Sequence, residues 1–280
     1  MNPISAKRIS RVCFMREENP QDAPGGGPGN IAELRRQAAE AFKGGHFPQA
    51  GRLYQRALAA SPRNPDILFN LGLVSSALRN PVMAESYFTQ AITANPNFFD
   101  AYASRGLLRA QNPGQLFGAE ADFTQCLRLR PNHLLALYNR GFVRLQQQTE
   151  ASLRGAISDF TFVINSTLDD GHRLSATVNR GNAYLILKQW QEAAQDFRGV
   201  LSIEPGNMMA RNGLGLVCQR LGHFDSSIRE FQAAVGGDPV VQRAAYENLA
   251  VVFSQRGDPG DREAGERAIL SARRIRPQGS

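Results

Sequence analysis

Pro65–Phe98, PDILFNLGLVSSALRNPVMAESYFTQAITANPNF, decides the fold of this 280-residue chain. Leu68, Leu71 and Gly72 share one face at helical spacing, and Leu78 closes that run before Arg79-Asn80-Pro81. A second periodic run follows, with Ala84, Phe88, Ala91 and Ile92 on one stripe. Two antiparallel helices that approach closely at Gly72 and Ala84 are expected, with Phe88 filling the space beside the following unit. Pro96 cannot continue a helix interior, so it ends the second helix.

The same order of residue types recurs along the chain at a period of about 34 residues. The small residue of the first half is Ala38, Gly72, Gly106, Gly141, Gly181, Gly215 and Ala250. The ring position holds Tyr54, Phe88, Phe123, Phe160, Phe197, Phe231 and, as the exception, Ile269. Three residues further on stand Ala57, Ala91, Cys126, Val163, Val200, Ala234 and Ala272, and Pro62, Pro96, Pro131, Pro205, Pro239 and Pro277 close six of the seven units. One hairpin has too little core to stand alone, but stacked neighbours bury each other's apolar stripes.

On these residues the chain resembles the tetratricopeptide repeat family over about 31–277. The resemblance implies an all-α, right-handed superhelical solenoid of seven helix-turn-helix units, bounded at about 31–64, 65–98, 99–133, 134–173, 174–207, 208–241 and 242–277. Three departures are expected to disturb it. The fourth unit has extra residues in its hairpin loop, around Gln146 to Leu153, and its exit from Asn165, NSTLDDGHR, is long and lacks the proline. The seventh has a long turn, GDPGDREAG, before Ile269.

Residues 1–30 differ in kind: Lys7, Arg8, Arg11 and Arg16 precede a Gly/Pro-rich stretch, as in a basic disordered tail. A cytoplasmic location is expected, with a mitochondrial address through this basic segment as the lesser alternative. Residues 278–280 read as a tail. No apolar run approaches the roughly 20 residues of a membrane span. Cys126 and Cys218 fall on helix-packing positions and read as reduced core residues. The net charge of +7 comes from scattered cations with no aromatic-interleaved basic stripe, which argues against nucleic acid.

No catalytic constellation is present, and neither a cofactor nor a metal is expected. His46 and His223 fall in equivalent hairpin turns, and His133 and His172 fall between repeats. The chain therefore reads as a non-catalytic scaffold or adaptor for a partner protein's segment. In the family the first helix of each pair lines a concave groove. Two residues before the small position stand Asn70, Asn139, Asn179 and Asn248, where an amide presents both a donor and an acceptor to a peptide backbone. They resemble the asparagine ladders of superhelical peptide-binding scaffolds. Phe69, Leu73, Tyr138, Phe142, Asn182, Asn212 and Leu216 flank them as further groove candidates. A complete carboxylate clamp for a chaperone tail is not expected. Tyr138, Val178, Met209 and Gly213 stand where cations would be needed, and Ala39 replaces the asparagine after Arg35. The alternative is a self-associating structural subunit, with a homodimer formed through Ile269, Leu270 and Ile275 of an uncapped seventh unit.

Overall fold

The computed structural model describes residues 31–167, 169–236 and 239–275. The basic segment 1–30, Pro277 and the tail 278–280 lie outside them. Among the described residues there are fourteen α-helices and one short 3-10 turn at Pro113–Gln115. They pair in chain order: α1 (Ile31–Lys43) with α2 (Phe47–Ala60), α3 (Pro65–Ala77) with α4 (Pro81–Ala94), α5 (Phe99–Arg109) with α6 (Leu116–Leu129), and α7 (Leu134–Gln147) with α8 (Glu150–Ser166). Then come α9 (Asp170–Ile186) with α10 (Trp190–Ile203), α11 (Met208–Arg220) with α12 (Phe224–Ala233), and α13 (Pro239–Arg256) with α14 (Asp261–Arg274). The chain forms two compact units, which part between Asn139 and Arg140 within α7.

Local chemistry sets the hairpin turns. Gly45, Arg79, Gln148, Lys188 and Gly222 each adopt a left-handed φ of 56–78° just before a second helix. In four of these turns the next N–H reaches back five residues in the 6→1 bond of a helix-ending Schellman turn: His46 to Ala41, Asn80 to Ser75, Gln189 to Tyr184 and His223 to Cys218. Helix starts are capped where the sequence offers an oxygen. Asn64 Oδ1 accepts from the Asp66 and Ile67 N–H groups, with Pro65 in the first turn, and Asn207 caps Ala210 in the same way.

The ring position sets the core. In hairpins one to six it is at most 1% exposed, and each such side chain contributes about 1.5–3 kcal/mol of burial. The small residue opposite is small because of the ring, not because of the facing backbone. A methyl group on Gly72 would stand 2.4 Å from Phe88 Cε1, and one on Gly215 would stand 2.6 Å from Phe231 Cε1. Within the 140–275 unit each second helix also packs on the following first helix, and α9, α11 and α13 touch one another in sequence as a layer.

The fourth hairpin differs from expectation. Its turn is only Gln148-Thr149, because the additional residues extend α8 to 17 residues, capped by Thr149 Oγ1 on the Ser152 N–H. The stretch after Asn165 is likewise no long loop. The helix continues to Ser166, and α9 starts at Asp170, where Asp169 caps His172 at 2.7 Å. In the seventh hairpin the turn shortens to GDPG, with Gly257 and Gly260 at φ 72° and 87°.

Candidate functional site

The first helices carry the residues expected to form a groove, and each unit is taken by itself. In the 31–139 unit, α3 does not present its candidates to solvent. The Phe69 ring is 3% exposed and lies between Phe88 and Phe98, at centroid distances of 5.8 and 5.1 Å. Leu73 is in the same cluster. Both are core, because α3 is apolar on every face and is nearly all buried. Asn70 is buried too, and its Oδ1 has no hydrogen-bond partner. Asn139 is buried and Tyr138 half-buried on α7.

Asn139 borders a real hollow. A cavity of about 360 Å³ opens between α5 and α7, walled by Ala103, Leu107, Phe123, Leu135 and Ala136. Its rim is polar. The Arg130 guanidinium lies 4.3 Å from the Phe99 ring centroid, and the His133 ring lies 4.7 Å from it on a tilted approach. Burial, with Arg130 next to it, pushes the His133 imidazole below its ordinary range. Its Nδ1 accepts the Ala136 N–H and so caps the start of α7. Asp100 supplies a carboxylate on the same rim. Such a hollow suits an apolar side chain approached through a polar edge.

In the 140–275 unit the candidates remain partly open. Phe142 on α7, Asn179 and Asn182 on α9, Asn212 and Leu216 on α11 and Asn248 on α13 are all half-buried. Asn248 Nδ2 donates to Asn212 Oδ1 at 2.9 Å, which joins amides of two successive first helices. The position two before the small residue does not simply face solvent. At Gly213 a methyl group would stand 2.4 Å from Phe197 Cζ, in the preceding hairpin. Gly213 thus packs on the preceding ring, and the equivalent Asn70, Ser104 and Asn139 are buried as well.

A second pattern escaped the sequence reading. Asp122 accepts two bonds from Arg105, at 2.7 and 3.1 Å, and one from Arg109 at 3.0 Å. Asp159 accepts the same set from Arg140 and Arg144, and Asp196 is bound by both arms of Arg180. The aspartates are nearly inaccessible, and the fork geometry fixes the rotation of each first helix on its second. Arg105 and Arg180 also reach the Thr89 and Thr161 hydroxyls of the preceding hairpins. The signal was present as Arg-Gly at 105–106, 140–141 and 180–181, with Asp-Phe at 122–123, 159–160 and 196–197.

Comparison with known proteins bears on the same elements. A family model described as tetratricopeptide repeat matches residues 35–97 and 178–240, which fall on the hairpins described above. Both matched stretches are tetratricopeptide repeats. Its fold is similar to that of a tetratricopeptide repeat protein from Parabacteroides merdae, at 16% identity and a TM-score of 0.68, covering 89% of this chain and 94% of that one. It is also similar to the C-terminal part of a repeat-containing protein from Cytophaga hutchinsonii, at 16% identity and a TM-score of 0.64, covering 88% and 96%. Among curated proteins, the protein adenylyltransferase Fic of Drosophila willistoni is 38% identical over 71 residues, 25% of this chain and 14% of that protein. The array thus spans about a seventh of the length of the curated relatives it matches.

Tetratricopeptide arrays are in general scaffolds for protein–protein interaction. In this array no helix among the described residues is long and apolar enough to cross a membrane. Cys126 is fully buried, its thiol donates to the Phe99 carbonyl at 3.6 Å, and burial pushes it up to about 12. The Cys218 thiol is also raised by burial.

Proposed function

We propose that this protein is a non-catalytic interaction scaffold whose first helices hold a segment of a partner protein. The observation that carries the reading is the hollow between α5 and α7, with its apolar walls, the Asn139 amide and the Arg130–Phe99–His133 rim. It supports a partner segment that inserts one apolar side chain and offers its backbone to polar groups at the mouth. In the 140–275 unit, Asn179, Asn182, Asn212, Leu216 and Asn248, with Phe142 beside them, support a second stretch of contact through amides and short apolar steps. Each amide–backbone bond contributes about 0.5–1.5 kcal/mol net, so several are needed for useful affinity.

The test is selection of peptides from a displayed random library on the full chain, followed by binding to two variants. Ala103→Trp fills the hollow, and the pair Asn182→Ala with Asn212→Ala removes two amides from the other unit. Selected peptides that lose about tenfold or more in affinity on Ala103→Trp, with helix content intact by circular dichroism, establish the hollow as the anchor site. Peptides that bind both variants as they bind the parent protein sink the reading.

A further inference from the structure

The seventh hairpin departs from the others where one hairpin meets the next. In α10, Ala194 and Phe197 lie in a cluster with Ala210, Leu214 and Val217 of α11, which covers them. In α12, Ile228 and Phe231 pack in the same way with Leu249 and Val252 of α13. The corresponding triplet, at the ring position and at three before and four after it, is Ala194-Phe197-Leu201 in α10 and, in the sixth hairpin, Ile228 and Phe231 of α12 with Val235 just past its end. In α14 it is Glu266-Ile269-Arg273. Ile269 is 43% exposed where the equivalent rings are fully buried, and Leu270 beside it is 52% exposed. Glu266 is open to solvent, in an i,i+4 pair with Arg262 at 3.3 Å. The face that is apolar in the earlier hairpins thus carries an acid on one side of an apolar step and a base on the other.

This order is self-complementary. Positions 266 and 273 are equidistant from the midpoint between 269 and 270. A second α14 laid antiparallel across the first places each Glu266 opposite the other copy's Arg273, and each Ile269 opposite the other's Leu270. The same arrangement turns the acidic first turn, with Glu263, toward the other copy's basic last turn and opposes the helix dipoles. A parallel arrangement would put acid on acid and base on base.

We propose that the α14 face of Glu266, Ile269, Leu270 and Arg273 is a self-association surface occupied by α14 of a second copy, antiparallel about a two-fold axis. The interface is isologous, so each favourable contact occurs twice. One helix pair of this length buries less than the roughly 1,200 Å² of a standard stable complex, so the dimer is reversible and concentration-dependent. None of the residues assigned to the partner-binding surface lies on α14, so the two readings stand or fall separately.

The experiment is sedimentation equilibrium of the full chain from the low to the high micromolar range. A reversible monomer–dimer equilibrium is expected. Ile269→Glu with Leu270→Glu abolishes it, and Glu266→Arg or Arg273→Glu alone weakens it by about tenfold. Glu266→Arg combined with Arg273→Glu restores it, because the pairs re-form with reversed polarity. All four positions are exposed, and circular dichroism checks that helix is retained. A monomer at every concentration overturns the proposal. So does a dimer indifferent to the Ile269 and Leu270 changes, or a double charge reversal that fails to restore what each single reversal removed.

Discussion

The ring of Phe197 occupies the place that a side chain at Gly213 would need: a Cβ there would lie 2.4 Å from Cζ. The ring also faces Gly181 of its own hairpin, where an added Cβ would lie 2.8 Å from Cε1. One aromatic side chain is therefore clasped by glycines of two successive first helices. Gly213→Ala forces a buried ring to move and is expected to cost about 1–3 kcal/mol, despite the better helix propensity of alanine. Gly199, mid-helix on α10, meets nothing within 4 Å. There alanine is expected to stabilise by about 0.5–1 kcal/mol. Urea denaturation of both variants checks the pair, and equal effects at the two sites would refute the clasp.

Asp159 is the hub of a second test. It is 3% exposed and holds Arg140 through two oxygens and Arg144 through one. Asp159→Asn leaves two cations without their anion and is expected to cost about 2–3 kcal/mol, below the figure for fully buried pairs because both arginines touch water. Glu150→Gln, which removes the exposed partner of Arg154, is expected to change stability by no more than about 0.5 kcal/mol. Thermal unfolding of the two variants distinguishes a shared anchor from an ordinary surface pair.

Asn70 offers a case in which stability and binding separate. Its Oδ1 is buried and unpaired, which costs about 1–3 kcal/mol in the folded state. Asn70→Leu, which keeps the branching and heavy-atom count while removing the polar atoms, is expected to raise the urea midpoint. A lowered midpoint would mean that the amide is held by contacts stronger than its missing bond.

Glu85 makes part of the stability pH-dependent. Burial acts to raise its carboxyl, but hydrogen bonds from Arg109 and Gln115 outweigh it and hold the group below its ordinary 4.5. A depressed folded-state value contributes stability that is complete above the ordinary range and is lost as pH falls through the folded value. Glu85→Gln is therefore less stable than the parent at pH 7, and the gap narrows as pH falls below the ordinary 4.5. A gap that stays constant over that range would remove Glu85 from the acid response.

The period was legible because six hairpins repeat one steric contract, ring against small residue, and a contract written six times survives the exception at Ile269. The groove was less legible. Spacing from Gly215 places Gly213 on a known face of α11, but spacing alone does not say that the preceding hairpin's ring already covers that face. Phe69 and Leu73 were misplaced for a related reason: α3 is apolar all round, so its pattern does not separate an outer side from an inner one. The added residues of the fourth hairpin were read as loop because loops usually absorb insertions. Here Thr149 and Asp169 cap helices that simply grew longer. The arginine–aspartate forks were visible as dipeptides, yet a dipeptide gains meaning only once the Arg105 and Asp122 positions are known to meet across a hairpin.

The shared ring has a consequence for where this chain can be cut. A fragment that stopped after α10 would turn toward water the side of the Phe197 ring that Gly213 covers, whereas one that stopped after α11 would keep it covered. The natural joints of the molecule thus lie half a repeat out of step with its hairpins. Fragments prepared for binding or spectroscopy should close on a first helix, trading an unmatched helix for an intact wedge.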